Sequence, residues 1–254
     1  MSLNETAPLV IGATGGSGTR VVAAIVRRAG FFIGTNLNNS LDSMEFPTMY
    51  DRWINRFQLR DLAPLCEEEN ALMTGDFTDC INRHKSTMPG GQRLWGWKEP
   101  RSILLLPFLD EQFPGMRFIH VIRDGRDMAF STNQNQLRKH GAAVLEGTLG
   151  EAPQAVRSAA LWAKINATAA AYGEARMAGR YMRVKYETLC SEAPRTVREI
   201  VGFLGVDGAV SIDEFASEIS PPESIGRWRA MADKPTLDSM HEVAGYALRE
   251  FDYL

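Results

Sequence analysis

The strongest constraint on this chain lies near its start, where Pro8-Leu-Val-Ile-Gly-Ala-Thr-Gly-Gly-Ser-Gly-Thr-Arg20 passes from an apolar run through four glycines into a helical pattern beginning near Thr19. A strand over Leu9 to Gly12 that turns this tightly needs residues able to take φ > 0, which glycine does without steric cost. The free N–H groups of the turn and the positive end of the helix dipole then face whatever sits above the strand, the setting of an anion site. A phosphate is the expected occupant.

Spacing narrows the kind of phosphate. A Walker A loop needs Gly, four residues, then Gly-Lys-Ser/Thr; here Gly18 is followed by Thr19 and the lysine is missing, which argues against a mononucleotide kinase. Gly12, Gly15 and Gly18 fit a Gly-x-x-Gly-x-x-Gly spacing, and Gly-Ala-Thr-Gly-Gly resembles the loop of short-chain dehydrogenases. Those enzymes carry an acidic residue about 20 positions after the glycines to hold the adenine ribose. The corresponding stretch, Gly34-Thr-Asn-Leu-Asn-Asn-Ser40, is uncharged until Asp42. Tyr181-x-x-x-Lys185 matches their catalytic pair, which requires one helix face. It falls instead in an alternating strand pattern, where residues four apart are separated by about 13 Å at ~3.3 Å per residue.

Strand and helix patterns alternate along the rest of the chain. Val21, Val22, Ile25 and Val26 recur at helical spacing up to Gly30, Phe31 to Thr35 suggests a short strand, and Ser43 to His84 is helical, with a break at Pro64 and with Trp53, Phe57, Leu59 and Leu62 spaced for burial. Leu94 to Arg101 alternates and breaks at Pro100, Arg117 to Arg123 is the strongest buried strand, and Arg180 to Leu189 alternates again. Helices are expected over Ile103 to Phe113, from Asp124 through Ser131, over Gln154 to Met177, over Ser191 to Leu204, and over Thr236 to Arg249 with Thr236 or Asp238 as cap. Thr87 to Gln92, Glu146 to Pro153 and Ser220 to Arg229 are expected loops. Such alternation implies parallel βαβ units, an α/β fold, and ligands at the carboxyl ends of the strands.

Composition sets outer limits. With 254 residues, 44% hydrophobic and 23% charged, and no break in composition, residues 1–254 read as one domain with 1–7 as a flexible tail. A net charge of −3 gives no general attraction to nucleic acid or anionic membrane, so an anionic ligand must be held by local cations. Cys66, Cys80 and Cys190 are odd in number and lack metal spacing, suggesting neither a disulfide framework nor a metal site. No basic leader and no apolar run of roughly 18 residues is present. A cytoplasmic setting is expected.

Taken together, Ile11 to Arg20, Trp97 to Arg101, Phe118 to Ser131, Val184 to Leu189 and Ile225 to Trp228 resemble, in order, the sulfotransferases that use 3′-phosphoadenosine 5′-phosphosulfate (PAPS), closest in motif style to the bacterial and tyrosylprotein-type branch. The resemblance implies a three-layer P-loop-like fold with a central parallel sheet flanked by helices. It also implies that Gly15, Gly16, Ser17, Gly18, Thr19 and Arg20 hold the 5′-phosphate. Ile122-Arg-Asp-Gly-Arg-Asp-Met-Ala-Phe-Ser131 is similar to the family's 3′-phosphate element, which places Arg123 and Ser131 on that phosphate. Tyr186 of Tyr-Glu-Thr-Leu is implied near the adenine, and Arg227 of Ile225-Gly-Arg-Trp as a second clamp.

One position departs from the pattern. Many members carry Lys or Arg where Gly16 stands, and that cation stabilises the transferring group. Lys98 resembles the catalytic lysine of the tyrosylprotein branch, with Arg20 as a second candidate; Asp42 lies in the region from which that branch supplies its acid residue. Arg126 and Asp127 suggest a structural charge pair at a helix start; His120, mid-strand, suggests a structural residue, while His84 and His140 show no nameable partner. The acceptor, whether small molecule, carbohydrate or peptide, is not specified by these motifs, no metal is needed, and a homodimer is left open. The rival expectations are a dehydrogenase-like NAD(P) protein and an inactive nucleotide-binding module.

Overall fold

A computed structural model describes residues 7–206 and 211–254. The chain opens with β1 (Leu9–Ala13), buried along its length, and α1 (Thr19–Arg28), then runs through α2 (Pro47–Gln58) and α3 (Glu67–Ser86) to β2 (Gly96–Lys98). A 3₁₀ turn (Pro100–Leu105) leads into α4 (Leu106–Gln112), β3 (Arg117–Ile122), α5 (Gly125–Ala129), α6 (Asn135–Val144) and α7 (Gln154–Arg176). The remainder is β4 (Tyr181–Lys185), α8 (Tyr186–Ser191), α9 (Ala193–Leu204), α10 (Ile212–Ser217), α11 (Trp228–Met231) and α12 (Lys234–Glu250).

All four strands are parallel, in the order β2-β1-β3-β4. Period-two alternation divides their side chains between two helical layers. Val10, Trp97 and Phe118 pack with the buried faces of α2, α3 and α4, while Leu9, Ile11, Ile119 and Val121 pack against α1 and α9. The sheet is therefore covered on both faces, as parallel sheets require. Because the chain leaves β1 for β2 on one side and places β3 on the other, the turn after β1 sits at the switch point of the sheet, where such folds bind ligands. Register Ile11↔Lys98 and Ile122↔Lys185 brings the carboxyl ends of the strands together at that edge.

Several expectations are corrected. Phe31 to Thr35 contributes a single bridge, Phe32↔Trp95, rather than a strand; Gly34, at φ 110, turns the chain away immediately afterwards. The alternating run from Arg180 forms a strand only over Tyr181–Lys185, since Tyr186 already begins a helix. Leu62 follows the end of α2 and is 69% exposed. The last helix is capped neither by Thr236 nor by Asp238: the Asp233 carboxylate accepts from the Thr236 N–H at 2.9 Å, as a residue two ahead of Pro235 can. Helix α6 was not foreseen, because Gln136 and His140 occupy buried positions where an apolar pattern would show it. Among the described residues no helix is long and apolar enough to cross a membrane.

Candidate active site

The turn between β1 and α1 is built as an anion cradle. Gly16 and Gly18 take φ 93 and 84, and Gly18 is the N-cap residue of α1 without a side-chain cap. No acidic residue stands in the first turn of α1. The orphan amides at that end are thus left to a ligand, with the helix dipole behind them. Ser17 is fully buried, and its hydroxyl turns inward to donate to the Thr14 carbonyl at 2.7 Å. Thr19 is buried at the first helical position, and Arg20 is exposed.

Lys98 ends β2 beside this turn. Its side chain is buried, and Nζ donates to the Ser40 carbonyl at 2.8 Å and pairs with the Asp42 carboxylate. Burial pulls the lysine below its usual pKa, against the upward pull of Asp42. Asp42 is in turn fixed by Asn38, whose Nδ2 donates to its other oxygen at 2.8 Å while Asn38 Oδ1 accepts from the Ser40 and Asp42 amides. Ser43 staples this loop to the sheet: its N–H donates to the Lys98 carbonyl at 2.8 Å and its hydroxyl to the Ile33 carbonyl at 2.8 Å. Two residues named separately from sequence, Lys98 and Asp42, therefore form one ion pair at the mouth of the turn.

The ends of β3 and β4 complete the rim. Arg123 follows β3, is 5% exposed, donates to the Ser224 hydroxyl at 3.0 Å, and stands 5.4 Å from the Tyr186 ring centroid. Its Nε is buried and has no hydrogen-bond partner among the described residues. Ser131 lies just past α5, its Oγ 3.6 Å from where a Cβ on Gly16 would be. Tyr186 opens α8 and is buried, with its pKa pushed up to about 12 chiefly by burial and next by Cys190. Arg227 donates through Nε to the Ser224 carbonyl at 3.1 Å and reaches the Phe130 carbonyl at 3.5 Å, one residue from Ser131.

The charge pairing around α5 differs from expectation. Arg126 pairs with Asp124, at 2.8 Å, rather than with Asp127. Asp127 instead accepts from the Gly226 and Trp228 amides at 2.7 and 3.2 Å and lies 3.7 Å from Arg123. Asp124 is the non-helical N-cap of α5, and its carboxylate, which accepts from the Arg126 N–H at 2.9 Å, is turned over the first helical turn where the Arg126 guanidinium reaches it. Asp127 thereby ties the 224–228 segment to the Arg123 corner. Neither Asp127 nor Ser224 was singled out as part of the rim; only the Ser-Ile-Gly-Arg run beside Arg227 hinted at the second.

His84, His120 and His140 each tie neighbouring elements together. His120 bonds the Tyr181 hydroxyl at 2.6 Å and Asn166 Oδ1 at 2.7 Å, and burial lowers its pKa to about 4. His84 and His140 do have partners: Gly96 O at 2.8 Å with Glu45 at 3.3 Å for the first, Asn55 Oδ1 at 2.8 Å for the second. Tyr181 and Lys185 do not work as a pair, since the lysine donates to the Phe251 carbonyl at 2.8 Å while the tyrosine faces His120.

On the other side of the turn a cleft of about 200 Å³ opens between Gly15, Asp42, Glu99, Asn133, Gln136 and Lys139. Glu99 and Arg101 form a buried pair at 2.8 Å, and Asp51 bridges Arg101 to Lys139, the latter at 2.7 Å. Burial raises the Glu99 carboxyl above its usual pKa, against the opposing pull of Arg101.

A doubly covered parallel sheet, an uncapped glycine turn at its switch point and cations at the strand ends define an α/β protein. The sulfotransferase family model matches residues 15–209, most of the chain, and the protein belongs to that family. No curated protein sequence matches it. Similar solved structures include the sulfotransferase domain from the curacin biosynthetic pathway, at 14% identity and TM-score 0.55 over 96% of this chain and 98% of that one. The sulfotransferase domain from the Synechococcus PCC 7002 olefin synthase aligns at 19% identity and TM-score 0.51 over 96% and 98%. Retinol dehydratase in complex with androsterone and inactive cofactor PAP aligns at 12% identity and TM-score 0.51 over 96% of this chain and 81% of its own. At these identities the likeness is one of fold.

Proposed function

We propose that the protein transfers a sulfuryl group from PAPS to a hydroxyl or amine of an acceptor, leaving adenosine 3′,5′-bisphosphate (PAP). Membership of the sulfotransferase family supports the transfer, and the retinol dehydratase structure, whose cofactor is PAP, supports the donor. The observation that carries the donor assignment is Arg123, a buried guanidinium whose Nε lacks a partner. An unpaired buried donor of this kind is costly unless a ligand accepts from it, and a phosphate can take two parallel bonds from the fork. Ser131 and Arg227 flank the same corner, as a 3′-phosphate site needs. The amides of Gly16 to Thr19 take the 5′-phosphate, Arg20 adds charge from the first turn of α1, and Tyr186 borders the adenine.

In this scheme the acceptor oxygen or nitrogen attacks sulfur in line with the bond to the bridging phosphate oxygen. The new bond to sulfur forms as the old S–O bond breaks, and the electron pair stays on the phosphate. Lys98 takes the place of the cation missing at Gly16 and stabilises that growing charge, as preorganised donors do. When Lys98 turns to the bridging oxygen, Asp42 stays held by Asn38 through one oxygen, and the other is free to accept the acceptor's proton. One neutralised pair thus becomes an acid–base couple across the reacting bond. The test is release of PAP from PAPS by the purified protein in the presence of a mixed acceptor library; release above the acceptor-free rate supports the scheme, and none with any acceptor opposes it.

A further inference from the structure

We infer that the acceptor is a neutral, polyhydroxylated ring of the sugar type, held in the cleft between Gly15 and Asp42; this rests on the donor proposal above. Both Gly15 of the glycine turn and Asp42 line this cleft, so an acceptor there meets the proposed base beside the donor end. At about 200 Å³ it lies below the ~300–1,000 Å³ of pockets that enclose drug-sized ligands. It takes one ring rather than a fused polycycle.

The wall decides the chemistry of that ring. Its members are mostly polar, with Met44, Pro47 and Pro100 as the larger apolar contributions, and among the described residues no aromatic side chain lines it. A phenol or steroid would find no stacking surface there and would cover amides and carboxylates without pairing them, which is unfavourable. A Cβ on Gly15 would stand 3.6 Å from Asn133 Nδ2 and 3.9 Å from Gln136 Cδ, so these amides share one wall with the turn. Gln136 is 9% exposed; Nε2 donates to the Ala13 carbonyl at 3.2 Å, and Oε1 has no partner among the described residues. That orphaned acceptor calls for a donor, and a hydroxyl is donor and acceptor at once.

Charge points the same way. Arg101 and Lys139 are both engaged with carboxylates, Glu99 among them, and Asp42 is paired with Lys98, so neither cation of this wall is left free for an acidic acceptor.

The experiment is ligand-observed saturation-transfer NMR on the PAP-loaded protein. The probes are methyl glycosides of neutral hexoses and neutral trisaccharides, run beside 4-nitrophenol, a tyrosine peptide and a steroid. Saturation of sugar protons is expected for the hexose glycosides and the trisaccharides alike, since the cleft takes one ring. Asn133→Ala and Gln136→Leu should each weaken it roughly 3- to 10-fold, the loss of one hydrogen bond, with the Kd for PAP unchanged. Binding of the aromatic or steroid probes without the sugars, or sugar binding indifferent to both substitutions, overturns the inference. A protein that binds PAP but no glycoside contradicts the acceptor assignment alone, whereas one that binds glycosides but no PAP contradicts the donor assignment alone.

Discussion

The Tyr186 ring occupies the space beside Gly18: a Cβ on that glycine would stand 2.2 Å from two ring carbons. The residue that opens α8 after β4 thus rests directly on the turn that follows β1, although β3 lies between the two strands. The turn backbone and the Tyr186 ring are held as one unit.

Gly18→Ala should therefore be severe. It combines φ 84 with a clash against a ring fixed by burial, whereas Gly16→Ala, at φ 93, meets only the flexible end of Met128 at 3.2 Å. Backbone strain alone costs about 1–3 kcal/mol, and the clash at Gly18 adds overpacking of similar size. Thermal melts should show the larger loss for Gly18→Ala, together with lost PAP binding; equal losses for the two variants would contradict the packing argument.

Arg123→Ala and Ser131→Ala should weaken PAP while hardly affecting adenosine 5′-phosphate, which lacks the 3′-phosphate. The arginine should cost about 1.5–3 kcal/mol and the serine less. Titration calorimetry with the two nucleotides checks this, and equal losses for both ligands would assign the residues to support of the fold.

Lys98→Met keeps the apolar stem and removes the charge. Its kcat should fall roughly 10²-fold or more with little change in donor affinity, because the contact is made mainly as the bridging oxygen gains charge. Arg20→Ala, on an exposed helical position, should act chiefly on the donor KM. Steady-state kinetics separate the two; the reverse pattern makes Arg20 the catalytic cation.

His120 makes stability pH-dependent. Its folded pKa, about 4, lies below the unfolded 6.5, so the unfolded chain binds more protons as pH falls through that interval. The contribution is complete above pH 6.5 and is lost progressively down to about 4. His140, lowered to about 4 by burial and next by Arg101, acts in the same sense. Denaturant melts from pH 7.5 to 4 should show falling midpoints, and His120→Gln should flatten the curve; an unchanged slope in that variant would assign the pH dependence elsewhere.

What was legible in the sequence were the strand ends. An apolar run closing on Arg123 and an alternating run breaking at Pro100, just past Lys98, mark both the end of a strand and the residue delivered there, and the glycine turn marks the centre; the end of β4 before Tyr186 was hidden, because the alternation runs on to Leu189. The pairings between these residues were not legible. Lys98 and Asp42 are 56 residues apart and Arg123 and Ser224 are 101 apart, and they meet only through sheet register and loop return. The inward turn of the Ser17 hydroxyl was equally hidden, since a serine in a glycine turn can face either side. Helix α6, with Gln136 and the cleft it lines, was missed because its buried positions are polar.

The most direct test of the central claim is titration calorimetry of the intact protein with PAP and with NADPH under the same conditions. The account predicts a saturable response to PAP and none to NADPH, with the PAP affinity weakened roughly 10- to 150-fold in Arg123→Ala. Tight NADPH binding with no response to PAP would contradict it.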